Sequence, residues 1–191
     1  MMQKPIATTR SATGMPTGRL AVWWLIASEI VIFGGLLAAY LMQRFAHPEW
    51  ADAAAHTNTI AGAVNTFILL TSSLSAVLAH NYAELGQGKK AANLLWVTVF
   101  GACLFLVVKG FEWTAEISHG YTIMSAGFWS FYYTAAGIHA AHVVIGAIIM
   151  LWVASYARKG KELQRVELVG IYWHFVDLVW IFLFPLLYIA K

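Results

Sequence analysis

Apolar residues in this chain run in long unbroken blocks rather than in alternation with polar ones. Five blocks are long enough to cross a bilayer, which takes about 20 residues at 1.5 Å rise through about 30 Å of hydrocarbon. They cover about residues 20–42, 60–82, 91–111, 124–156 and 166–189. A membrane barrel strand would instead alternate with period two over about ten residues, and no block does so. In lipid every backbone polar group needs an internal partner, and a helix supplies that within one segment. The pattern therefore predicts an all-α integral membrane bundle of five transmembrane helices. The fourth block is the longest and predicts a tilted or projecting helix. The first exceeds the 7–15 apolar residues of a signal peptide core, so it reads as a retained helix. Residues 1–18 read as a polar tail with Pro5, Gly14, Pro16 and Gly18. Residues 19–191 then form one transmembrane domain. The stretch 43–59 predicts a compact loop, and Gly86 to Lys90 a tight turn.

Composition narrows the function classes. Of 191 residues, 60% are hydrophobic and 11% charged, against about 45–50% and about 25% in soluble domains. That excludes a disordered chain. A disulfide-stapled domain is excluded because Cys103 is the only cysteine, and its apolar surroundings read as a buried small residue. A net charge of +3 without a basic stripe argues against a nucleic-acid partner. The charge distribution also predicts orientation. With the N-terminus cytoplasmic and the C-terminus periplasmic, nine of the twelve Lys and Arg residues fall inside: Lys4, Arg10, Arg19, Lys89, Lys90, Arg158, Lys159, Lys161 and Arg165. Only Arg44, Lys109 and Lys191 fall outside, a strong positive-inside asymmetry.

Ionisable groups within membrane spans are costly and are functional candidates by default. On this pattern two of the twenty-one Lys, Arg, Asp and Glu residues lie deep, Glu29 and Asp177, and nineteen lie at ends and loops. Glu29 reads either as a proton- or lipid-linked carboxyl or as a neutral acid that joins two helices. His139 and His142, three apart, are expected to share a helix face, and His174 with Asp177 repeats that spacing. Haem or copper ligation is one reading of the imidazoles. Their depths on two helices match poorly, which favours an interhelical hydrogen-bond network with Asp177 orienting His174 or meeting a neighbouring helix. Lys109, Glu112 and Glu116 read as an exposed cluster at a helix end. Asn65 and Thr66 are suited to bonding across helices, and Gly34/Ala38, Ser72/Ala76 and Gly137/Ala141 to close helix approach. No nucleophile with its base, phosphate loop or Cys-rich metal site is present.

Tyr172-Trp173-His174-Phe175-Val176-Asp177-Leu178-Val179-Trp180 resembles the last-helix signature of subunit III of haem–copper terminal oxidases. Ser28-Glu29, Asn65-Thr66 with Ser72-Ser73, Gly110-Phe111-Glu112-Trp113 with Glu116, and Gly137-Ile138-His139-Ala140-Ala141-His142-Val143 resemble its other segments, in order. Ala135 and Ala140 stand where relatives often have Thr and Gly. The likeness is to the short five-helix bacterial form. It implies an accessory subunit of a cytochrome c oxidase in the bacterial inner membrane, in a complex that reduces oxygen and pumps protons. It implies that this chain is non-catalytic and binds no redox cofactor, with haems and copper in partner subunits. It also implies packing on subunit I, with subunit II in the complex, and phospholipid held between helices. Glu29, the His pair and Asp177 then correspond to family positions, the last three as structural and lipid-pocket residues. A quinol oxidase subunit, or a relative accompanying a nitric oxide reductase, is the alternative within the family. A stand-alone haem-binding membrane cytochrome and a small transporter are more distant ones.

Overall fold

The structure, a computed structural model, describes residues 15–190. The elements are α1 (Thr17–Ala46), α2 (Trp50–Ala55), α3 (Thr59–Glu84), α4 (Gly88–Ser118), α5 (Gly127–Ala157) and α6 (Gln164–Phe184), closed by a π-helical turn, Pro185–Ile189. Five helices are long and apolar enough to span a membrane, and no β-strand occurs among the described residues. The near end of the bundle holds the start of α1 and the α3–α4 and α5–α6 turns. The far end holds α2, the α4–α5 connection and the π-helical turn.

Several boundaries differ from the sequence expectation, among them the expected turn from Gly86 to Lys90, whose last three residues already belong to α4. Most of the polar tail, with Lys4 and Arg10, and Lys191 at the other end, lie outside the described residues. Thr17 and Gly18, taken as tail, are already helical behind Pro16, whose fixed φ suits the start of a helix. The 43–59 loop contains α2. The third span does not stop at residue 111 but continues to Ser118, so the charges read as its end lie within it. α5 begins at Gly127 rather than 124.

Two tight places fix the helix arrangement. The α3–α4 turn uses Gly86 at φ 71°, a left-handed conformation that Gly adopts without steric cost. Two residues later Gly88 starts α4 so close to the end of α5 that a Cβ there would lie 2.1 Å from the Ala157 carbonyl oxygen. Farther along, a Cβ at Gly101 would lie 2.8 Å from that of Ser72, so α3 and α4 meet at their small residues. Of the three small-residue pairs expected to do this, only Ser72/Ala76 is buried. Gly34 has nothing near its missing side chain, and Ala141 is exposed.

The core lies among α3, α4, α5 and α6, around Leu69, Leu95, Phe105, Met150, Trp173 and Trp180. Polar bonds tie α6 to α3: the indole N–H of Trp173 donates to Ser72 Oγ at 3.1 Å, and that of Trp180 to Thr66 Oγ1 at 3.0 Å. α1 stands apart. Its buried residues are Ile26, Phe33 and Tyr40, a seven-residue spacing that makes one narrow stripe. Polar contacts hold it at three depths: Arg19 to Glu167 at the near end, Glu29 to His142 in the middle, and Tyr40 and Arg44 at the far end.

The far-end contacts follow from the end of the helical run, because the last carbonyls of a helix lack partners of their own. Side chains from elsewhere fill in: Tyr40 donates to the Leu186 carbonyl at 2.9 Å, Arg44 to Ala190 at 3.1 Å and Thr59 to Tyr188 at 3.2 Å. The clamp fixes the direction of Tyr188, whose ring is fully buried.

Candidate functional site

The buried face of α4 runs through Ala91, Leu95, Thr98, Ala102 and Phe105 and then, without changing direction, through Lys109, Glu112 and Glu116. Steps of three and four keep all eight on one side of the helix. Lys109 is 2% exposed, and Glu112 and Glu116 are 5% exposed. This overturns the exposed-end reading, and the count of two deep charges with it. The spacing carried the signal, because the charges continue the core stripe.

Tyr132 of α5 and Tyr188 complete the cluster. The Lys109 ammonium donates to Glu112 Oε2 at 3.1 Å, to the Tyr132 hydroxyl at 3.0 Å and to the Tyr188 hydroxyl. Its three N–H bonds are then all used. The Tyr132 oxygen lies 2.9 Å from Glu112 Oε1, 2.9 Å from Glu116 Oε1 and 3.0 Å from the Tyr188 oxygen. Aromatic faces enclose the ammonium, with Tyr132 at 4.7 Å, Tyr188 at 5.0 Å, Trp180 at 5.5 Å and Trp113 at 5.6 Å, a favourable setting for a desolvated cation. Glu116 Oε2 has no hydrogen-bond partner. Its residue walls a cavity of about 300 Å³ at the far end, with His56, Asn58, His119 and Tyr121. Sequence reasoning missed Tyr132 and Tyr188, since single tyrosines in apolar helices look like packing.

The other candidates are spread over four helices. Glu29 Oε2 lies 3.2 Å from His142 Nε2, not aligned as a hydrogen bond. The other ring nitrogen of His142 lies 2.8 Å from the Ile138 carbonyl. A carbonyl only accepts, so Nδ1 carries a hydrogen and Nε2 faces Glu29. His139, about 60° round the same side of the helix, meets different neighbours. His139 sits between Phe105 of α4 and Trp180 of α6, fully buried and without a hydrogen bond. His142 instead turns to Phe33 of α1.

His174 bonds Ser73 Oγ through Nδ1 at 2.6 Å. Asp177 sits beside the same serine, yet neither of its carboxyl oxygens makes a hydrogen bond, so it does not orient His174 directly. Thr66 donates to the Gly62 carbonyl at 2.8 Å while accepting from Trp180, and thus bonds across helices. Asn65 is fully buried with both amide atoms unbonded. Cys103 is exposed on the outside of α4 rather than buried. Outside the spans, Glu49 is held below the usual carboxylate range by its own backbone N–H and then by His47. Among the described residues no three His, Cys, Asp or Glu side chains gather as a metal site.

One apolar groove stands out at the near end. Val22 and Leu25 of α1, Trp152 of α5, and Leu168 and Tyr172 of α6 line about 220 Å³. Arg165 also lines it, with its guanidinium 4.7 Å from the Trp152 ring centre.

Comparison with known proteins covers nearly the whole chain. A family model described as cytochrome c oxidase subunit III matches residues 7–191. The chain is 33% identical over 173 residues to cytochrome c oxidase subunit 3 of Corynebacterium diphtheriae, covering 87% of this chain and 84% of the relative. It is 31% identical over 169 residues to cytochrome c oxidase subunit 3 of Thermostichus vulcanus, covering 86% and 83%. It is 32% identical over 184 residues to the heme-copper oxidase subunit I+III of Aeropyrum pernix, covering 90% of this chain and 22% of that longer protein.

Proposed function

The chain belongs to the cytochrome c oxidase subunit III family, and on that premise we propose that it is the accessory, redox-centre-free subunit III of a respiratory oxidase that takes electrons from cytochrome c. Membership makes it a multi-pass membrane protein within an oxidase complex. The finer reading is that it packs on subunit I, holds phospholipid, and sustains proton uptake and the working lifetime of a pump whose haems and copper reside in partner subunits. The cytochrome c donor is preferred over quinol because the C. diphtheriae and T. vulcanus relatives carry that name.

The observation that carries this reading is the attachment of α1. A membrane-length helix buries one stripe, Ile26, Phe33 and Tyr40, and leaves Trp24, Val31, Met42 and Phe45 open. Such a face suits a second membrane subunit or lipid. The A. pernix relative joins subunits I and III in one chain, which supports subunit I as that neighbour. The near-end groove supports the lipid role, since its apolar walls fit an acyl chain, with Arg165 at its rim paired to Glu162 at 3.1 Å. The positive-inside count supports a cytoplasmic near end. There His80, Glu84 and Glu167 wall an open pocket suited to collecting protons. The polar contacts of Glu29, His142, His174 and Thr66 tie helices together in this reading, and Asp177, His139 and Asn65 are buried polar groups of the same bundle.

Purification of the native complex tests the assignment. The expected result is co-purification with subunit I and a copper-binding subunit II, with the haem spectrum belonging to those partners. Removal of this chain is expected to leave the initial rate of oxygen reduction largely intact and to shorten the active lifetime. A chain that purifies alone with a haem spectrum, or a complex that loses all activity at once on its removal, overturns the reading.

A further inference from the structure

The hydrogens around Tyr132 do not suffice for two ionised glutamates. All three hydrogens of Lys109 are assigned, to Glu112 Oε2 and to the two tyrosine oxygens. Tyr188 has a hydrogen that can turn to Glu112, but it does not lie between Tyr132 and either carboxyl. Tyr132 has one hydrogen of its own, yet its oxygen lies 2.9 Å from a carboxyl oxygen of Glu112 and 2.9 Å from one of Glu116. An ionised carboxylate only accepts. With both acids ionised, one of those contacts is therefore oxygen against oxygen with nothing between. One extra proton on a carboxyl removes the conflict. Glu112 is the direct partner of the ammonium and remains the carboxylate. The proton belongs on Glu116, which donates to Tyr132, while Tyr132 donates to Glu112. Charge balance points the same way. One ammonium with two carboxylates would leave a net negative charge in a site where each side chain is at most 5% exposed, a costly state for buried charge.

The second oxygen of Glu116 makes no hydrogen bond among the described residues, with the Tyr133 hydroxyl near the same carboxyl, and its residue walls the far-end cavity. We propose that Glu116 is a proton-binding site, holding a neutral carboxyl at rest and exchanging its proton with water through that cavity. The groups facing it are Lys109 and Glu112 on its own helix, Tyr132 and Tyr133 of α5, Tyr188 of the π-helical turn, and His56 and His119 at the cavity wall. The imidazoles stand where an exchanging proton would pass. The proton leaves Glu116 for a cavity water and returns by the same route, so no other reactant is needed. This inference depends on the cluster geometry and not on the identity of the electron donor.

The test is infrared difference spectroscopy of the purified complex at neutral pH, in H2O and in D2O. Wild type minus Glu116→Gln is expected to show one neutral-carboxyl band, shifted when the native complex is moved into D2O. Glu116→Asp keeps the acid and is expected to move that band in frequency without abolishing it. It also serves if the glutamine variant assembles poorly, because wild type minus Glu116→Asp then carries the same band. A difference spectrum with carboxylate bands alone overturns the neutral acid. A neutral-carboxyl band that shifts in D2O only after denaturation overturns exchange through the cavity.

Discussion

Lys109, Glu112 and Glu116 lie between three helices with two tyrosine hydroxyls in mutual reach, whereas Glu29 meets one imidazole at the edge where α1 leans on the bundle. In the first region five polar groups and a cage of aromatic rings replace water. In the second, two groups replace it, and both side chains keep some exposure, 14% for Glu29 and 17% for His142. The difference teaches that neighbouring opposite charges at core spacing are a sign of burial, since each supplies what the others need in the absence of water. A lone acid settles where a single partner and partial access to its surroundings are enough.

The comparison breaks if the two regions respond alike to losing a partner. Lys109→Met keeps the bulk of the stem but strands Glu112 in the interior. Breaking a buried pair in this way costs about 3–5 kcal/mol, and is expected to strip this chain from the complex on mild heating in detergent. The double variant Lys109→Met/Glu112→Gln removes both charges and is expected to restore most of the retention. A single variant as stable as wild type would mean that the cluster is hydrated and open.

A smaller effect separates α1 from the core by shape alone. Gly88→Ala places a methyl group where the Ala157 carbonyl oxygen already is, and overpacking of this kind costs about 1–3 kcal/mol. Gly34→Ala on α1 meets nothing within 4 Å among the described residues and is expected to be neutral there. The same change, or Gly34→Leu, is expected to weaken subunit association if a partner helix approaches that glycine. Thermal retention of each variant in the complex gives both answers. Of similar size is Tyr188→Phe, which removes one acceptor of the Lys109 ammonium and leaves the clamp on the backbone of the π-helical turn in place. A lost hydrogen bond to a charged group costs about 1.5–3 kcal/mol, read in the same assay.

The five spans and their order were legible because backbone chemistry in lipid leaves only long apolar helices as the solution. The motif residues were legible as a set. What each one touches was not. Counting charges as span ends hid Lys109, Glu112 and Glu116, although their spacing from Phe105 placed them on the buried face of α4. Three-residue spacing joined His139 to His142 on one side of α5, but about 60° of rotation is enough to separate a ring between Phe105 and Trp180 from one against Phe33. Cys103 looked buried because its neighbours in sequence are apolar, but on a membrane helix an apolar neighbourhood describes the lipid-facing side as well as the core. The ordered turn after Pro185, and with it the direction of Tyr188, depends on Tyr40, Arg44 and Thr59, which are distant in sequence.

The mildest expected effect falls on Glu29, and its mildness is informative. Nδ1 of His142 carries a hydrogen because it faces the Ile138 carbonyl. Glu29 Oε2 lies 3.2 Å from Nε2 without the alignment of a hydrogen bond. Glu29→Gln keeps nearly the same shape and a polar end. Retention in the complex is expected to stay within about 1 kcal/mol of wild type, the scale of one weakly coupled polar pair. Glu29→Leu removes the polar contact and is expected to cost more, leaving α1 held by its apolar stripe and its end contacts. Should Glu29→Gln instead release the chain as readily as Lys109→Met, the Glu29–His142 contact is a true ion pair in a dry setting. The contrast between the edge of α1 and the interior of α4 would then disappear.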